Sequence, residues 1–350
     1  MNTRPAVTLR DVADAVGVSR QVVATVLTGK GSARASTDTR NRILQTAAEM
    51  GYRPHGAARS LATGKTRTIE LQAHSVGDQL YRMPRHHLPV WGAVAEVCQE
   101  RDYRLLLVSR QNETSEAPLR NLFERNVDGL ILLGATDLRV LETARDHGIP
   151  SVCINPEMAR ELLVEAGYEV VDFDNSAGVR MALEHLVQLG HRNIGFVRGR
   201  ATNQDFEERW RAYWRFMIEH GLQVQMEWVW EDIPGYVNGL QVGRQVLAAR
   251  HRPTAILAAC DALALGVMHT LLEAGLSIPR DLSIVGFDDT ESAPIIYPGL
   301  TTVRLDWVGL GRLGAERLFD QLEATTERAA PALHRYPVEL ILRQSCAPLR

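Results

Sequence analysis

Residues Thr8 to Leu27 read TLRDVADAVGVSRQVVATVL, and this stretch decides how the N-terminal part of the chain folds. Apolar residues recur at helical spacing in its first half, stop at Gly17-Val18-Ser19, and resume at helical spacing in its second half. Thr8 followed by Asp11 has the pattern of a capping box, and Ser19 suits the N-cap of a second helix. Two short helices joined by a turn of about three residues that contains glycine form a helix-turn-helix motif.

A third helix is expected after this motif, over Thr37–Met50, with Ser36 as its N-cap and Gly51 closing it. Helical periodicity predicts that four of its side chains face the first two helices: Ile43, Leu44, Ala47 and Ala48. Residues 1–53 are therefore predicted to form a small all-α headpiece.

Residues 54–67 follow as a short helix and linker, which Pro54 can open and Gly64 can end. A helix of this length is marginal by itself in water, so we expect it to order only against a partner. Leu61 is the large apolar side chain of the segment, and such a side chain can enter the minor groove of DNA as a wedge between base steps. The alternative is a plain linker helix.

The net charge of −3 conceals an asymmetry along the chain. Residues 1–68 carry eleven Lys/Arg and four Asp/Glu, a net charge of +7, whereas the remaining residues carry 28 and 38, a net charge of −10. A basic head on an acidic body is typical of a head that meets nucleic-acid phosphates, and here it coincides with the helix-turn-helix. The second helix of such a motif lies in the DNA major groove.

Residues 68–350 alternate short apolar runs with amphipathic helices, which is the pattern of βαβ units and parallel sheets. The runs fall into two series, which predicts an α/β body of two doubly wound lobes. The predicted strands of the first series are Ile69–Ala73, Arg104–Ser109, Gly129–Gly134 and Ser151–Asn155. Those of the second series are Asn193–Arg198, Trp228–Trp230, Ala255–Ala259 and Ser283–Phe287.

Polar side chains follow two of these strands at their carboxyl ends, where open parallel sheets bind ligands. Asn155 ends a strand of the first series, and Asp288 follows a strand of the second. Amide and carboxylate groups at such positions can fix the hydroxyl groups of a small polar ligand. A loop residue without a ligand is the alternative for each of them.

Motifs for catalysis are not found in the sequence: it has no GxSxG, no HExxH, no P-loop and no GxGxxG at a strand–helix junction. We therefore expect no enzyme, no cofactor and no metal site. The four cysteines lack metal-ligand spacing, which favours reduced thiols in a cytoplasm. No apolar run approaches the length of a membrane span, and the N-terminal residues have no secretory pattern.

Several segments resemble the LacI/GalR (lac repressor/gal repressor) family of transcriptional regulators, and the similarity covers nearly the whole chain. In the head these are VTLRDVADAVGVS, STDTRNRILQTAAEMGYRP and AARSLATGKT. In the body they are FDNSAGVRMALEHLVQLGHRNIGFV (173–197), PTAILAACDALALGVMHTLLEAGLSIPRDLSIVGFDD (253–289) and LTTVRLD (300–306). The resemblance implies a helix-turn-helix headpiece joined to a body of two doubly wound lobes like those of periplasmic sugar-binding proteins.

The resemblance also implies roles for residues of the head and the body. Thr8, Ser19, Ser36 and Thr39 match positions that hold phosphates, Arg20 and Gln21 match the base-reading positions of the recognition helix, and Leu61 matches the minor-groove wedge. Arg209 matches the effector-binding arginine, which joins Asp288 and Asn155 as predicted effector contacts. Cys260 occupies the place of an effector-contacting asparagine.

The expected lobe boundaries follow from the same resemblance. Lobe 1 is predicted to span about 68–173 and 300–326, and lobe 2 about 174–299 and 327–350. A strand at Thr301–Asp306 and a helix at Leu310–Leu322 are expected to return to lobe 1, and Val338–Leu342 to lobe 2.

Two segments depart from the family pattern. Val22-Val23-Ala24-Thr25 stands where the family has Thr-Val-Ser-Arg, and His55 replaces an asparagine or serine, so the operator sequence is expected to differ. Residues 74–91 match poorly and offer Tyr81, Arg82, Arg85, His86 and His87. That segment is either a solvated basic loop or part of a site for an anionic effector such as a sugar acid.

These observations predict a homodimeric, sequence-specific DNA-binding regulator, a repressor. Its affinity for a pseudo-palindromic operator would respond to a small effector, a sugar or sugar acid, in the cleft of the body. The homodimer is expected because only QSCAPLR follows residue 343, without a leucine-rich tetramerising tail. The alternatives are a soluble sugar-binding protein without a regulatory role and a sugar kinase, for which the phosphate-binding loop is missing.

Overall fold

The structure of the 350-residue chain is a computed structural model, which describes residues 7–28, 35–52, 64–74, 87–110, 117–134, 136–199, 204–324 and 330–349. The chain divides into two compact units. The first comprises Met1–Thr68 with Asn126–Asp128, and the second comprises Ile69–Arg125 with Gly129–Arg350. We refer to the first as the head and to the second as the body.

The described part of the head contains three helices: α1 (Leu9–Val16), α2 (Arg20–Thr28) and α3 (Thr37–Glu49). The predicted capping box begins α1: the Thr8 side chain accepts from the Asp11 backbone N–H, and the Asp11 carboxylate accepts from the Thr8 backbone N–H at 2.7 Å. Gly17 ends α1 with φ 77°, a conformation that glycine adopts without strain. The sequence signals of the helix-turn-helix are thus confirmed.

A small apolar core joins the three helices: Val12, Ala13, Val16, Val23, Val26, Ile43 and Ala47. The prediction that Leu44 and Ala48 also face this core is wrong, because both are exposed, Leu44 by 46%. Each lies one residue, or about 100° around the helix, beyond a buried neighbour. The buried face of α3 is therefore narrower than its run of apolar residues.

The stretch that leads from the head into the body is held by Asp128. Its carboxylate accepts hydrogen bonds from the Thr66 backbone N–H at 2.7 Å, the Thr66 hydroxyl at 2.9 Å and the Arg67 backbone N–H at 2.9 Å. The predicted hinge residues Pro54–Thr63, including His55 and Leu61, lie outside the described residues.

Lobe 1 is built on sheet A. Its strands are β1 (Thr68–His74), β2 (Arg104–Arg110), β3 (Gly129–Leu133), β4 (Ser151–Ile154), β5 (Glu169–Phe173) and β11 (Leu333–Tyr336). They lie in the order β11-β5-β4-β3-β1-β2. Its helices are α4 (His87–Glu100), α5 (Ala117–Phe123), α6 (Leu138–Asp146), α7 (Arg160–Glu165) and, from later in the chain, α12 (Trp307–Glu323).

Lobe 2 is built on sheet B. Its strands are β6 (Ile194–Gly199), β7 (Val229–Asp232), β8 (Ala255–Ala258), β9 (Ser283–Asp288), β10 (Thr301–Arg304) and β12 (Glu339–Ile341), in the order β12-β10-β9-β8-β6-β7. Its helices are α8 (Asn175–Gln188), α9 (Gln204–Glu219), the 3-10 turn Met226–Trp228, α10 (Tyr236–Ala248) and α11 (Asp261–Glu273). In both sheets the strand order reverses direction, as in doubly wound folds.

Two of the expected lobe boundaries are corrected by the strand pairing. Thr301–Arg304 is β10 of sheet B, parallel to β9, and only the following helix α12 returns to lobe 1, where it packs on α4. Leu333–Tyr336, expected in lobe 2, is β11 of sheet A, parallel to β5. The chain therefore crosses from lobe 2 to lobe 1 after β10 rather than before it, and it returns to lobe 2 between β11 and β12. Strand β12 pairs antiparallel with β10 and so lies in lobe 2, as predicted.

The lobe topology directs the carboxyl ends of β4 and β9 toward the space between the lobes, where Asn155 and Asp288 follow or end their strands. Both lobes bury their apolar strand residues under the flanking helices, so the polar side chains at these ends are held on rigid elements. No helix of the described residues is long and apolar enough to cross a membrane.

Candidate functional site

The surface of the helix-turn-helix presents the predicted base-reading side chains. Arg20 and Gln21 occupy the first turn of α2 and are exposed. They border a shallow groove between the beginnings of α1 and α2, whose described lining is Thr8, Leu9, Arg10, Arg20, Gln21 and Ala24. The structure therefore brings one predicted phosphate-contacting residue, Thr8, together with both predicted base-reading residues.

The four predicted phosphate-contacting hydroxyls all stand at helix N-termini. Ser19 accepts from the Val22 backbone N–H at 3.4 Å, and Ser36 accepts from the Thr39 backbone N–H at 3.2 Å. The Ser36 and Thr39 hydroxyl oxygens are 2.9 Å apart. Helix N-termini present backbone N–H groups and a partial positive charge, which is the environment that a phosphate needs.

Thr25, which stands where the resembled family has an arginine, is used within its own helix. Its hydroxyl donates to the Gln21 carbonyl at 2.8 Å. Its short side chain cannot reach as far as an arginine. The second turn of α2 therefore presents a hydroxyl to a base edge where the resembled family presents a guanidinium.

A cleft of about 890 Å³ lies in the body at the carboxyl ends of the strands. Its polar lining includes the predicted residues Asn155, Arg209 and Asp288. The described lining also includes acidic side chains, Asp205, Asp289 and Glu291, and apolar ones, Pro89, Phe206, Tyr236, Leu265, Ile295, Ile296, Leu305 and Trp307. The volume falls in the range typical of small-molecule sites.

Arg209, on the second turn of α9, is the buried cation of this cleft, with 3% of its surface exposed. Nε donates to the Asn175 side-chain oxygen and Nη1 to the Ala259 carbonyl, both at 2.7 Å, while Nη1 and the Asp288 carboxylate form an ion pair at 3.4 Å. The guanidinium carbon lies 3.9 Å from the centre of the Phe287 ring. Within the described part of the chain, the Nη2 edge is therefore the part of Arg209 that remains to donate to a ligand.

Asp288 ends β9 with φ 121°, a backbone conformation that non-glycine residues rarely adopt. Burial raises the pKa of its carboxyl to about 7, against the opposing effect of the Arg209 charge, and the charges of Asp261 and Asp205 raise it further. Strained residues with displaced pKa values concentrate at functional sites.

Asn155 follows β4 with φ 45°, and its amide is already engaged. Nδ2 donates to the Asp172 and Asp205 carboxylates, each at 3.0 Å. Since both amide hydrogens are used, Oδ1 is the atom with which Asn155 can meet a ligand in the cleft.

Cys260 is not brought to the cleft. It is 3% exposed, stands at the N-cap of α11 and belongs to the apolar core of lobe 2. Burial raises the pKa of its thiol to about 12. It packs as a small apolar side chain and is not among the described lining residues, so an effector contact at this position stays a prediction.

Sequence reasoning missed four buried polar residues that meet beneath the cleft, which we call its floor and of which Asp205 belongs to the described lining: Arg160, Asp172, Asn175 and Asp205. Arg160 donates from Nε to Asp172 and from Nη2 to Asp205. The Asn175 side-chain N–H donates to Asp205 at 3.0 Å. A signal existed for Asp172, an acidic residue inside the apolar run that became β5, which only a buried partner can stabilise.

The basic segment that the sequence offered for an anionic effector lies mostly outside the described residues, including Tyr81, Arg82, Arg85 and His86. His87 is described: it opens α4 and is 4% exposed. Within the described ranges, no group of three or more His, Cys, Asp or Glu could hold a metal ion.

The head and the body each match a known family profile. The profile "Bacterial regulatory proteins, lacI family" matches residues 8–55, and "Periplasmic binding protein-like domain" matches residues 183–346. The chain thus carries a LacI-family DNA-binding domain in the head and a periplasmic-binding-protein-like domain in the body. It is 27% identical to the HTH-type transcriptional repressor PurR of Glaesserella parasuis serovar 5 (strain SH0165) over 347 residues, which is 97% of this chain and 98% of that protein.

The fold of the chain also matches two solved structures along its length. The lac repressor dimer bound to operator and the anti-inducer ONPF superposes with a TM-score of 0.78 and 26% identity, covering 98% of this chain and 99% of that one. A complex of the transcriptional regulator CelR with cellobiose has a TM-score of 0.68 and 26% identity, covering 98% and 100%. The chain is thus a DNA-binding transcriptional regulator with an effector-binding body.

Proposed function

We propose that this chain is a homodimeric repressor whose operator affinity is changed by a neutral carbohydrate in the cleft of the body. The observation that carries the proposal is the combination of an exposed recognition helix, with Arg20 and Gln21 in its first turn, and a cleft that centres on Arg209 and Asp288. The similar structures of the lac repressor dimer bound to operator and of CelR in complex with cellobiose support both halves.

The side chains of the cleft favour a neutral sugar over a sugar acid. Arg209 is the one cation among the described lining residues, beside the acids Asp205, Asp288, Asp289 and Glu291. Two of these acids are already paired, Asp205 with Arg160 and Asp289 with Arg304 and Arg343. Arg209 is itself paired with Asp288, so a ligand carboxylate would have to compete with that side chain. Hydroxyl groups can instead donate to Asp288 and to Asn155 Oδ1 and accept from Arg209 Nη2, while Trp307 and Leu305 cover an apolar face of the ring.

A homodimer is supported by apolar side chains that lobe 2 leaves exposed. Tyr297, in the turn after β9, is 89% exposed, and Val237 on α10 is 65% exposed. A second copy of the chain would cover them, and a two-fold dimer would read a pseudo-palindromic operator. Because its target is chromosomal DNA, we place the protein in the cytoplasm, and we assign it no enzymatic activity.

Selection from random duplex DNA with the full-length chain tests the DNA half of the proposal. We expect a two-fold symmetric motif, and we expect Arg20→Ala and Gln21→Ala each to relax preference at single base positions by about 1–3 kcal/mol. Arg139→Ala, on α6 of the body, is the matched control and should leave the motif unchanged. An identical motif for all four proteins would show that the recognition helix is wrongly placed.

Calorimetry with cellobiose, glucose, ribose and glucuronate tests the effector half. A neutral member should bind, and Arg209→Ala should lose a charge-assisted hydrogen bond, about 1.5–3 kcal/mol of binding free energy, while ligand-free operator binding is retained. Equal affinity of Arg209→Ala and the unaltered chain for the sugar would remove Arg209 from the site. Binding of glucuronate in preference to every neutral sugar would contradict the neutral class.

A further inference from the structure

An arginine of lobe 1 reaches lobe 2 beneath the effector cleft. Arg160 begins α7, a short helix in the connection from β4 to β5, and is 3% exposed. Its guanidinium donates to Asp172 of lobe 1 through Nε and to Asp205 of lobe 2 through Nη2. The two carboxylates are 0% and 6% exposed as residues, so the ion pairs are screened from water.

The same two carboxylates fix the amide of Asn155. Nδ2 bridges Asp172 Oδ1 and Asp205 Oδ2, which leaves the amide one orientation. Arg160 holds both of these acids, so it determines indirectly that Asn155 presents an acceptor rather than a donor to the cleft.

On the lobe 2 side, the hydrogen bonds continue to the effector arginine. Asp205 Oδ1 accepts from Asn175 Nδ2 at 3.0 Å, and the Asn175 oxygen accepts from Arg209 Nε at 2.7 Å. A continuous series of buried side chains therefore joins Arg160 of lobe 1 to Arg209 of lobe 2.

The charge state of Asp205 suits an ion pair. Its burial acts to raise the pKa, but the charges of Arg160 and Arg209 outweigh that effect and lower it. The opposite holds for Asp172, whose pKa is raised to about 6 by burial and by the nearby charge of Asp205. Asp205 is thus the acid that keeps its negative charge, and its bonds to Arg160 and Asn155 exist only while the two lobes meet at this floor.

We propose that Arg160 is a positioning residue that couples the effector cleft to the arrangement of the two lobes, through its ion pair with Asp205. Arg160 bonds directly to the lining residue Asp205 and reaches Asn155 through Asp172 and Asp205. Separation of the lobes at the floor would break its ion pair with Asp205. The inference rests on the proposed function, since its principal readout is operator affinity.

The test compares Arg160→Met, Arg160→Lys, Asp205→Asn and the double variant Arg160→Met/Asp205→Asn. The control is Arg180→Met, which removes an ion pair of 3.3 Å to Glu219 on the surface of lobe 2. Affinity for the selected operator is measured by fluorescence anisotropy without effector. We expect Arg160→Met and Asp205→Asn to change it at least tenfold in the same direction, the double variant to add nothing further, and Arg160→Lys to restore part of the effect.

Hydrogen exchange of the full-length proteins supplies a second readout. Amides 204–209 of lobe 2 should exchange faster in Arg160→Met, although the altered side chain belongs to lobe 1, and should be unchanged in Arg180→Met. Should Arg160→Met fail to fold, the operator affinities and exchange rates of Asp205→Asn and Arg160→Lys are compared with those of the unaltered chain instead.

Three results would overturn the inference. Operator affinities of Arg160→Met and Asp205→Asn within twofold of the unaltered chain would remove the coupling role. Multiplying effects in the double variant would show that the two residues act independently. Failure of the unaltered chain to bind any selected duplex would overturn the proposed function and the inference with it, whereas the first two results leave the proposed function standing.

Discussion

Replacing Asp288 by asparagine is expected to change how the stability of the body depends on pH. The carboxyl has a pKa of about 7 in the folded chain, raised chiefly by burial from an ordinary value of 3.8. The folded protein therefore binds this proton more tightly than the unfolded chain does. The stability that comes from the protonated form is fully present below the unfolded pKa and is lost as pH rises to about 7.

The magnitude follows from the proton linkage. One proton bound by the folded chain and not by the unfolded chain changes the free energy of unfolding by about 1.4 kcal/mol per pH unit. Between about pH 4.5 and about pH 7 the unaltered chain should lose about 3 kcal/mol relative to Asp288→Asn, and above about pH 8 the difference should level off. Asp172 and Asp261, whose pKa values are raised to about 6 mainly by burial, titrate in both proteins and largely cancel.

Urea unfolding followed by tryptophan fluorescence, at pH values from about 4.5 to about 8.5, measures this difference. Asp146→Asn removes an exposed carboxylate of α6 and is the matched control, whose curve should run parallel to that of the unaltered chain. The reasoning would be refuted if the difference in free energy of unfolding between Asp288→Asn and the unaltered chain varied by less than about 0.5 kcal/mol across the pH range. That is the spread of ordinary surface substitutions.

Three further predictions concern the head, the hinge and the C-terminal segment. Asp11→Ala removes the reciprocal half of the α1 capping box and should lower the melting temperature of the head, which circular dichroism during thermal unfolding measures, and an unchanged melting curve would contradict it. Ser345→Ala leaves the buried Thr301 N–H without the acceptor it has at 2.8 Å and should cost about 1–3 kcal/mol in urea unfolding, whereas a neutral effect would mean that another acceptor replaces it. Leu61→Ala should weaken operator binding and bending without altering effector affinity. Amides 55–63 should exchange rapidly in the unbound protein and slowly on operator, and protection without DNA would contradict the minor-groove hinge.

The head could be predicted from the sequence because its signals are local. The Thr8–Asp11 capping box, the break at Gly17 and the N-cap at Ser36 each involve residues within one helical turn, and the structure has all three. The alternation of strands and helices in the body is equally local, since the burial of both faces of a parallel strand leaves a continuous apolar run. The two polar strand ends, Asn155 and Asp288, followed from the same alternation.

Lobe membership was decided only by pairing between distant segments. Thr301–Arg304 and Leu333–Tyr336 are short strands whose residues fit either sheet, and their partners β9 and β5 were chosen by the path of the chain between the lobes. Neither strand carries a sign of its sheet in its own sequence. A β-strand forms its ladder hydrogen bonds with neighbouring strands rather than within itself, so its place is a property of the assembled sheet.

The cleft shows the same division between local pattern and tertiary structure. The sequence indicated residue types that suit a polar ligand, but it did not show the floor beneath them. There Arg160 bonds to Asp172, 12 residues away in the chain, and to Asp205, 45 residues away. In the folded body Cys260 packs in the apolar core of lobe 2, and both amide hydrogens of Asn155 are donated to Asp172 and Asp205. Burial determines which polar atoms remain for a ligand, and burial is set by packing across the whole body rather than by neighbours in sequence.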